Sequence, residues 1–257
     1  MKLNCSFITP YKEKTQFDKW KAKLEENYED IEVIGIQGGL INFKLNGKDA
    51  AKPRTPFFEA WRQGLKKATK KYICLTHDDT EYVAIPDLDK YLEKIYIAEN
   101  GKIYNNPVLP ETRIGMIGIA GTTVLHRDQP WWFSTERLHG GILSGQVWNT
   151  EDGKKNSYSS FGPFGEVVTL DGVCMFTTKE ILEDVGIPKI DYGKSGQVYS
   201  LDFYDHVISL KYIKAGYKLL TVPIILVHGS KGGDKRPSFF ESMDKFRDEY
   251  LDKTWRV

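Results

Sequence analysis

Residues 72–81 of the chain read YICLTHDDTE, a short apolar run that ends in two adjacent carboxylates. An apolar run of this length is typical of a buried β-strand. In open α/β sheets, ligands bind in the crevice at the carboxyl ends of the strands. Carboxylates there often bind a hard divalent cation, which binds phosphates in turn. The alternative is a strand that ends in a polar turn, where aspartate is also common. Asp78 and Asp79 are therefore candidate ligand-binding residues.

The segments around this run alternate between strand and helix patterns. We predict strands at Leu3–Ile8, Ile31–Ile36 and Ile114–Ala120, and a strand from Tyr72 that ends at His77-Asp78-Asp79. Helices are predicted over residues 12–28, with Phe17, Trp20, Leu24 and Tyr28 on one stripe, and around Phe58–Ala68. Residues 40–55 are expected to form an irregular or hairpin insertion. A strand–helix–strand order implies a right-handed parallel crossover. The first half of the chain is therefore expected to be a Rossmann-like α/β unit that binds a nucleotide.

The second half also contains helix and strand patterns. We predict strands at Val167–Phe176 and Leu219–Val227, and helices that begin at the capping box Thr177–Glu180, at Asp202 and at Ser238. In the last helix, Phe240, Met243 and Phe246 are expected to face inward. Between the halves, residues 126–165 show little periodicity and contain Trp131 and Trp132. Long segments of this kind are usually functional or disordered, and the aromatic residues argue against disorder.

Composition limits the classes of function. The 257 residues carry a formal net charge of +1, which does not favour a general nucleic-acid binder. The three cysteines lie in apolar runs, so we expect buried thiols in a reducing compartment rather than disulfides. No apolar run approaches the roughly 18 residues of a membrane span, and the N-terminus has no signal-peptide pattern. We therefore expect a soluble, cytoplasmic protein without an integral membrane segment.

Two further residues fall at predicted element ends. Asp205 begins a helix, where the helix dipole favours an acid, so it is either a general base or an ordinary first-turn acid. His228 ends a strand before a glycine-rich loop. It is either an imidazole metal ligand beside a mobile loop or a polar strand end. The residues alone leave both alternatives open.

The order of the motifs resembles that of a known group of enzymes. The succession is Leu170–Phe176, Thr178–Gly186, Phe203-Tyr204-Asp205, Ala215–Lys218, Val222-Pro223 and Val227-His228, preceded by Thr9-Pro10-Tyr11, Trp61-Arg62 and His77-Asp78-Asp79. This set resembles the inverting GT-A nucleotide-sugar glycosyltransferases of the family-two group, and Ile114–Gly121 followed by Trp131-Trp132 is similar to a glycosyltransferase-like branch of it. The resemblance covers roughly residues 3–233, and its specificity lies in the order of the motifs.

The resemblance implies a fold and a division of the chain. The fold is α/β: a single GT-A domain over residues 1–257, with a mostly parallel central sheet flanked by helices and a smaller mixed sheet on the acceptor side. Residues 1–125 would form the nucleotide-sugar-binding half. Residues 126–257 would form the acceptor-binding and catalytic half.

The resemblance also implies roles for individual residues. Asp205 is expected to be the catalytic base, Asp79 and His228 the metal ligands, and Asp78 a contact to the donor sugar or ribose. The expected nucleotide contacts also include Thr9, Pro10, Tyr11, Gln37 and Arg62. The expected acceptor contacts are Trp131, Trp132, Asp171 and Gly172.

Three positions depart from the family pattern. His77 replaces the usual first acid, Gln37 stands where an aspartate that binds uracil is common, and Val207 replaces a second acid after the base. The departure at Gln37 leaves the nucleotide base open, although a UDP-sugar is the expected donor.

The resemblance implies a glycosyltransferase of the hexosyltransferase type that acts in glycan biosynthesis. It would use manganese or magnesium and transfer the sugar to a glycan or other hydroxyl acceptor. The protein would lie at a membrane surface only if that acceptor is lipid-linked. Two alternatives remain: a nucleotidyltransferase, although the Thr9-Pro10-Tyr11 loop lacks the expected glycines, and a degenerate domain that binds carbohydrate without turnover.

Overall fold

The computed structural model describes residues 2–38, 40–45, 48–53, 55–92, 96–97, 103–104, 113–125, 138–144, 157–191, 198–199, 201–229, 237–250 and 255–256. The strands are β1 Lys2–Tyr11, β2 Glu29–Gln37, β3 Leu40–Leu45, β4 Lys48–Pro53, β5 Tyr72–Thr76, β6 Thr80–Ala84, β7 Tyr96–Ile97, β8 Ile103–Tyr104, β9 Ile114–Gly118, β10 Ala120–Thr122, β11 Val124–Leu125, β12 Leu138–Ser144, β13 Ser157–Gly162, β14 Glu166–Val167, β15 Thr169–Leu170, β16 Cys174–Thr178, β17 Lys218–Thr221, β18 Ile225–His228 and β19 Trp255–Arg256. The helices are α1 Lys14–Asn27, α2 Phe57–Leu65, α3 Leu88–Leu92, α4 Lys179–Val185, α5 Tyr204–Lys214 and α6 Pro237–Tyr250.

A seven-stranded sheet forms the centre of the fold, in the order β14-β17-β9-β16-β5-β1-β2. Strands β2, β1 and β5 are parallel neighbours, and β9 runs parallel to β17. The other three neighbouring pairs are antiparallel: β16 runs opposite to β5 and β9 on its two sides, and the edge strand β14 runs opposite to β17. The sheet is therefore mixed, with parallel pairing concentrated in the predicted nucleotide-binding half.

Helix packing explains why these strands are buried. All five residues of β5 are buried, as expected for a strand covered on both faces. Helix α1 buries Phe17, Trp20 and Leu24, the stripe predicted from the helical period. Helix α2 buries Phe58 and Trp61 and packs against β1 and β2. The predicted strand–helix–strand crossover is thus present, and β3 and β4 pair antiparallel within the predicted insertion.

A second, six-stranded mixed sheet is built largely from strands that continue those of the first. Its main order is β15-β10-β12-β18-β6, with β13 paired to β12. Neighbouring strands β9 and β17 both end at the Gly118–Thr221 pair, and the chain then enters the second sheet as β10 and β18. The smaller mixed sheet predicted from the resemblance is therefore present.

Three of the strands predicted as continuous are divided in the structure. Residues 114–120 are divided at Ile119, and residues 219–227 are divided at Val222–Ile224. Pro223 lies in the second break, where it cannot donate a ladder hydrogen bond. Most of the apolar residues on each side are buried, but they belong to different sheets, so a largely apolar run conceals a change of sheet. The predicted strand over 167–176 is likewise divided, into β14, β15 and the start of β16.

The predicted helices are present as α1, α2, α4, α5 and α6, with corrections at single residues. The helix predicted to begin at Asp202 begins at Tyr204, because Phe203 has a left-handed backbone conformation. Thr178, not Thr177, caps α4, since its hydroxyl accepts a hydrogen bond from the Ile181 backbone N–H at 3.1 Å. In α6, Phe239 is buried, whereas Phe240 is 45% exposed and does not face inward. Phe246 is buried as predicted.

The cysteines and the lengths of the helices also bear on the expectations from the sequence. All three cysteines are buried and free, as predicted. Within the described part of the chain, no helix is long and apolar enough to cross a bilayer.

The turn that connects the two sheets carries the predicted acids. Residues 77–79 link β5 of the first sheet to β6 of the second. In the second sheet, His228 at the end of β18 is the register partner of Thr80. Because Thr80 directly follows the turn, this pairing places His228, at the end of β18, next to the turn that contains Asp78 and Asp79.

Candidate active site

Backbone hydrogen bonds fix the shape of the turn between β5 and β6. The Gly229 N–H donates to the Asp79 carbonyl at 2.6 Å, and the Thr80 hydroxyl donates to the His77 carbonyl at 2.8 Å. Gln16 in the first turn of α1 reaches the Asp78 carbonyl at 3.4 Å. The turn is therefore held from α1, from β6 and from the segment after β18.

Three side chains of this region are close enough to bind one metal ion: His77, Asp79 and His228. We call this group the cation cluster. Asp79 Oδ1 lies 3.8 Å from His77 Nδ1 and 3.4 Å from His228 Nε2. One ligand atom from each residue falls within 4.8 Å of the other two. Asp79 Oδ1 and His228 Nε2 are buried yet have no well-oriented hydrogen-bond partner. Buried polar atoms normally have partners, and a divalent cation between these three atoms would supply one.

The charges within the cation cluster favour ionised Asp79. Burial raises the pKa of Asp79, but attraction to the His228 and His77 imidazoles outweighs this and holds the pKa below its ordinary value. Burial lowers the pKa of His228, but attraction to Asp79 raises it overall. Burial lowers the pKa of His77 to about 4, so this imidazole is neutral at pH 7. A carboxylate and a neutral imidazole are forms that can bind a metal.

Asp78 differs from its neighbour in environment. Its Oδ2 is buried without a hydrogen-bond partner. Burial and the adjacent charge of Asp79 raise the pKa of Asp78 to about 6. A groove of about 670 Å³ opens beside Asp78 and Asp79, between α1 and β6. Asp78 is thus placed to interact with a polar ligand in this groove.

Asp205 lies in the first turn of α5 and is buried. Its Oδ1 accepts hydrogen bonds from the backbone N–H and from Nδ1 of His206, at 2.9 and 2.7 Å. Its Oδ2 accepts from the Gly172 N–H at 3.3 Å. Burial raises the pKa of Asp205, but the charge and hydrogen bonds of His206 lower it below the ordinary value. Asp205 is therefore ionised at neutral pH.

An aromatic group holds the histidine that contacts Asp205. The His206 ring is fully buried and lies 4.8 Å from the Phe203 ring and 5.4 Å from the Phe246 ring, measured between centroids. Phe203 has a left-handed backbone conformation, with φ of 62°. This conformation is rare for a bulky residue and occurs mainly where surrounding structure enforces it. The packing of Phe203 thus fixes the direction in which α5 begins.

Asp171 and Gly172 lie in the turn before β16, next to Asp205. Asp171 Oδ1 accepts from the Val173 N–H at 2.9 Å. Burial and the charge of Asp205 raise the pKa of Asp171 to about 6. A Cβ on Gly172 would lie 2.5 Å from the Tyr204 hydroxyl oxygen, so glycine is needed for the Tyr204 ring to occupy its position.

The predicted nucleotide contacts form a second group on the same edge of the sheet. Tyr11 and Gln37 are register partners at the ends of β1 and β2, and Pro10 lies beside them. The Tyr11 ring stacks on Phe17, with centroids 4.7 Å apart. Thr9 is fully buried. Because β1, β2 and β5 are parallel, this group and the acid turn follow the same ends of neighbouring strands.

Three residues with predicted ligand contacts have no described interaction with the cation cluster: Arg62, Trp131 and Trp132. Arg62 pairs with Glu59 at 2.8 Å and donates to the Pro188 carbonyl, which ties α2 to the segment after α4. Trp131 and Trp132 lie outside the described residues. The roles predicted for these three residues stay predictions.

Sequence reasoning missed two features of the site. His77 was treated as a departure from an acidic motif, yet it contributes a nitrogen to the cation cluster. Tyr204 has no role in the sequence prediction beyond its place in the motif Phe203-Tyr204-Asp205, although its hydroxyl lies 2.6 Å from His77 Nε2. The signal for His77 was present, since histidine beside two aspartates is itself a metal-ligand pattern. The Tyr204 contact joins residues 127 positions apart and left no sequence signal.

Comparisons with known proteins identify similar sequences and structures. A sequence profile described as "Glycosyltransferase like family" matches residues 56–226. The chain finds no significant match among the curated proteins. A solved structure of GalNAc-T7 with UDP, GalNAc and Mn²⁺ aligns with a TM-score of 0.50 and 11% identity, over 94% of this chain and 47% of that chain. The chain thus spans about half the length of that protein, and the likeness is one of fold.

A second similar structure is a mannosyltransferase from Pyrobaculum calidifontis in complex with GDP-Man and Mn²⁺. It aligns with a TM-score of 0.44 and 11% identity, over 97% of this chain and 71% of that chain.

Proposed function

The chain belongs to the glycosyltransferase-like family, and we propose that it is a metal-dependent, inverting glycosyltransferase. It would move a sugar from a nucleotide-sugar donor to an acceptor hydroxyl. The resemblance and the α/β GT-A fold class predicted from the sequence are confirmed. The activity, its stereochemistry and the residue roles below are proposals.

One observation carries the proposal: the cation cluster and an ionised, buried Asp205 are neighbours in one site. Tyr204, the residue before Asp205, contacts His77 of the cluster at 2.6 Å. Asp171, whose turn contacts Asp205, interacts electrostatically with both Asp205 and His228. A site that binds a cation beside a carboxylate base has the two parts needed to activate a diphosphate leaving group and a hydroxyl nucleophile.

The cation cluster would act on the leaving group. His77 Nδ1, Asp79 Oδ1 and His228 Nε2 would hold the ion. The bound divalent cation would neutralise charge that develops on the nucleoside diphosphate as the bond to the sugar breaks. Two imidazoles and one carboxylate favour a transition metal over magnesium, which prefers oxygen ligands. We propose manganese among the transition metals, because the structure of GalNAc-T7, which this chain resembles in fold, contains Mn²⁺.

Asp205 would act on the acceptor. Its carboxylate would accept the proton of the attacking hydroxyl, which approaches the face of the sugar opposite the leaving group. The hydrogen bonds from His206 occupy Oδ1. Oδ2, which accepts only the longer bond from Gly172 among the described residues, is the oxygen that we propose as the proton acceptor. Asp171 and Gly172 would form the wall of the acceptor site.

The donor would lie across the parallel strands. We propose that Thr9, Pro10, Tyr11 and Gln37 contact the nucleoside and that Asp78 contacts the donor sugar or ribose. UDP is the proposed nucleotide, since the resemblance includes many UDP-sugar enzymes. Gln37 can donate as well as accept a hydrogen bond, so a guanine nucleotide is the alternative to be tested directly.

A donor panel tests this proposal. The chain would be incubated with UDP-, GDP- and other nucleotide-activated sugars, with manganese, with magnesium or with a chelator, and release of nucleoside diphosphate would be measured. We expect release with one class of donor that requires manganese and rises with an added hydroxyl acceptor. NMR of the product would give the anomeric configuration, and inversion is expected.

Each alternative predicts a different result. A nucleotidyltransferase would release pyrophosphate from a nucleoside triphosphate and a sugar phosphate. A degenerate domain would bind a donor or a glycan and release nothing with any donor. A retained anomeric configuration would contradict the role of Asp205 as a base in single displacement.

A further inference from the structure

Tyr204 occupies a position between the two halves of the site. Its hydroxyl oxygen lies 2.6 Å from His77 Nε2, and the side chain is buried. Because a nitrogen that contacts the hydroxyl is not free to bind an ion, only Nδ1 of His77 can face Asp79. The 3.8 Å separation between His77 Nδ1 and Asp79 Oδ1 agrees with this orientation.

We infer that Tyr204 is a positioning residue for the metal, acting through His77. An imidazole that binds an ion through Nδ1 carries its hydrogen on Nε2, and that hydrogen needs an acceptor. The Tyr204 hydroxyl oxygen is the acceptor within reach. It selects the tautomer in which the lone pair of Nδ1 points at the ion, and it fixes the plane of the ring. This inference rests on the metal site of the proposed function.

The surroundings of Tyr204 are rigid enough for this role. Its ring stacks on Phe57 with centroids 4.1 Å apart and planes 1° apart, and it meets the edge of Trp61 at 5.5 Å. Gly172 leaves the space that the ring requires, because a Cβ there would approach the hydroxyl oxygen to 2.5 Å. A side chain held on three sides keeps its hydroxyl at one point, as a ligand-orienting group must.

Tyr204 would also connect metal binding with the catalytic base. It is the first residue of α5, and Asp205 follows it directly. A shift of the tyrosine ring would move the start of the helix that carries Asp205. Partners that orient metal ligands typically contribute about 10–100-fold to metal affinity, so loss of the hydroxyl should be measurable without any substrate.

The test measures Mn²⁺ binding by electron paramagnetic resonance of the free ion, with no nucleotide present. Tyr204→Phe removes only the hydroxyl and keeps the ring, and we expect Mn²⁺ binding about 10–100-fold weaker. Tyr212→Phe is the matched control, because Tyr212 is a buried tyrosine of the same helix whose hydroxyl contacts Thr177 at 3.1 Å. Its Mn²⁺ affinity should equal that of the parent. Circular dichroism melting would verify that each variant is folded.

A double-mutant cycle with His77→Ala tests whether Tyr204 acts through His77. If it does, Tyr204→Phe should change Mn²⁺ affinity in the parent but not in the His77→Ala background. An equal loss in both backgrounds would overturn the inference and indicate a general structural effect. Parent-like affinity of Tyr204→Phe would also overturn it.

The same experiment separates this inference from the proposed function. Mn²⁺ binding by the parent that Asp79→Ala abolishes would support the metal site, whatever Tyr204→Phe does. If the parent binds no Mn²⁺, the metal site and the role of Tyr204 both fail. The inference is supported if Tyr204→Phe and His77→Ala each weaken Mn²⁺ binding, Tyr212→Phe does not, and the double variant binds Mn²⁺ no more weakly than His77→Ala alone.

Discussion

Asp205 accepts hydrogen bonds from both of its neighbouring elements, the turn before β16 and its own helix. Such contacts keep a carboxylate ionised, which a general base requires. They are also what a helix-terminal acid makes when its role is only structural. Geometry at this residue therefore agrees with both functions predicted from the sequence, and only a change that preserves shape can separate them.

Asp205→Asn is that change. Loss of a general base typically costs about 10²–10⁴-fold in rate, so we expect kcat for sugar transfer to fall by that factor. Donor affinity should stay the same, because the carboxylate acts on the acceptor. Steady-state kinetics and calorimetric donor titration are the measurements. Asp184→Asn is the control, since Asp184 contacts the hydroxyl of Tyr217, which follows the opposite end of α5. If Asp205→Asn transfers sugar at nearly the parental rate, Asp205 is not the base and has only a structural role.

Asp171 gives a prediction about pH. Burial and the charge of Asp205 raise its pKa to about 6, while His228 and His206 lower it by smaller amounts. The folded chain therefore holds this proton more tightly than the unfolded chain, whose aspartates titrate near 3.9. Linkage then requires that ionised Asp171 lowers stability above about pH 6 and has no such effect below about pH 4.

Asp171→Asn should therefore raise the melting temperature by a few degrees at pH 8, and this gain should disappear as the pH falls to 4. Asparagine keeps an oxygen that can accept from the Val173 N–H, so the turn should survive. Calorimetry at several pH values checks the slope. A gain that is constant with pH would mean that the charge of Asp171 is not the cause.

At the scale of elements, periodicity predicted what packs and missed where the chain changes sheet. The stripe Phe17, Trp20, Leu24 lies on α1 as expected, because the 3.6-residue period follows directly from helix geometry. The sequence does not reveal the breaks at Ile119 and Val222–Ile224, because most residues near them are apolar and buried, including Ile117, Ala120, Leu220 and Leu226. An apolar run records burial and not the sheet to which it belongs.

The same distinction applies to the site. Asp79 and His228 could be predicted as candidate ligands because each lies at a predicted strand end, and the resemblance implies that both bind the metal, although β5 and β18 belong to different sheets. The contribution of Tyr204 to His77 could not, because it depends on stacking against Phe57 and on the space at Gly172. Side-chain packing between distant segments leaves no periodic signal in a single sequence.

Helix α6 offers a matched pair of variants. Phe239 is 6% exposed and Phe240 is 45% exposed, although the two residues are adjacent. Loss of a buried phenylalanine side chain typically costs about 3–5 kcal/mol, whereas a surface change usually stays within about 0.5 kcal/mol. Phe239→Ala should lower the free energy of unfolding by an amount near the first range, and Phe240→Ala by little. Urea denaturation is the measurement. A larger loss from Phe240→Ala than from Phe239→Ala would mean that Phe240 faces inward, as predicted from the sequence.

For the molecule as a whole, the cation cluster lies where the two sheets meet. His77 follows β5 of the central sheet, whereas His228 ends β18 of the second sheet, and Asp79 lies in the turn between β5 and β6. An ion bound to all three residues would cross-link the two sheets, in addition to the strand crossings near Ile119 and Pro223 and to contacts such as that between the Thr76 and Tyr82 hydroxyls. Metal binding should therefore stabilise the entire fold and not only the turn.

This coupling predicts the size of a thermal shift. A ligand that binds only the folded chain at 100 times its Kd adds about 2.7 kcal/mol to stability. For a chain of this length, 1 kcal/mol raises Tm by roughly 2–4 °C, so saturating Mn²⁺ should raise Tm by about 5–10 °C. Asp79→Ala should abolish this shift, whereas Asp184→Asn should retain it. A full shift in Asp79→Ala would place the stabilising ion elsewhere on the molecule, and the two sheets would then be held together without the cation cluster.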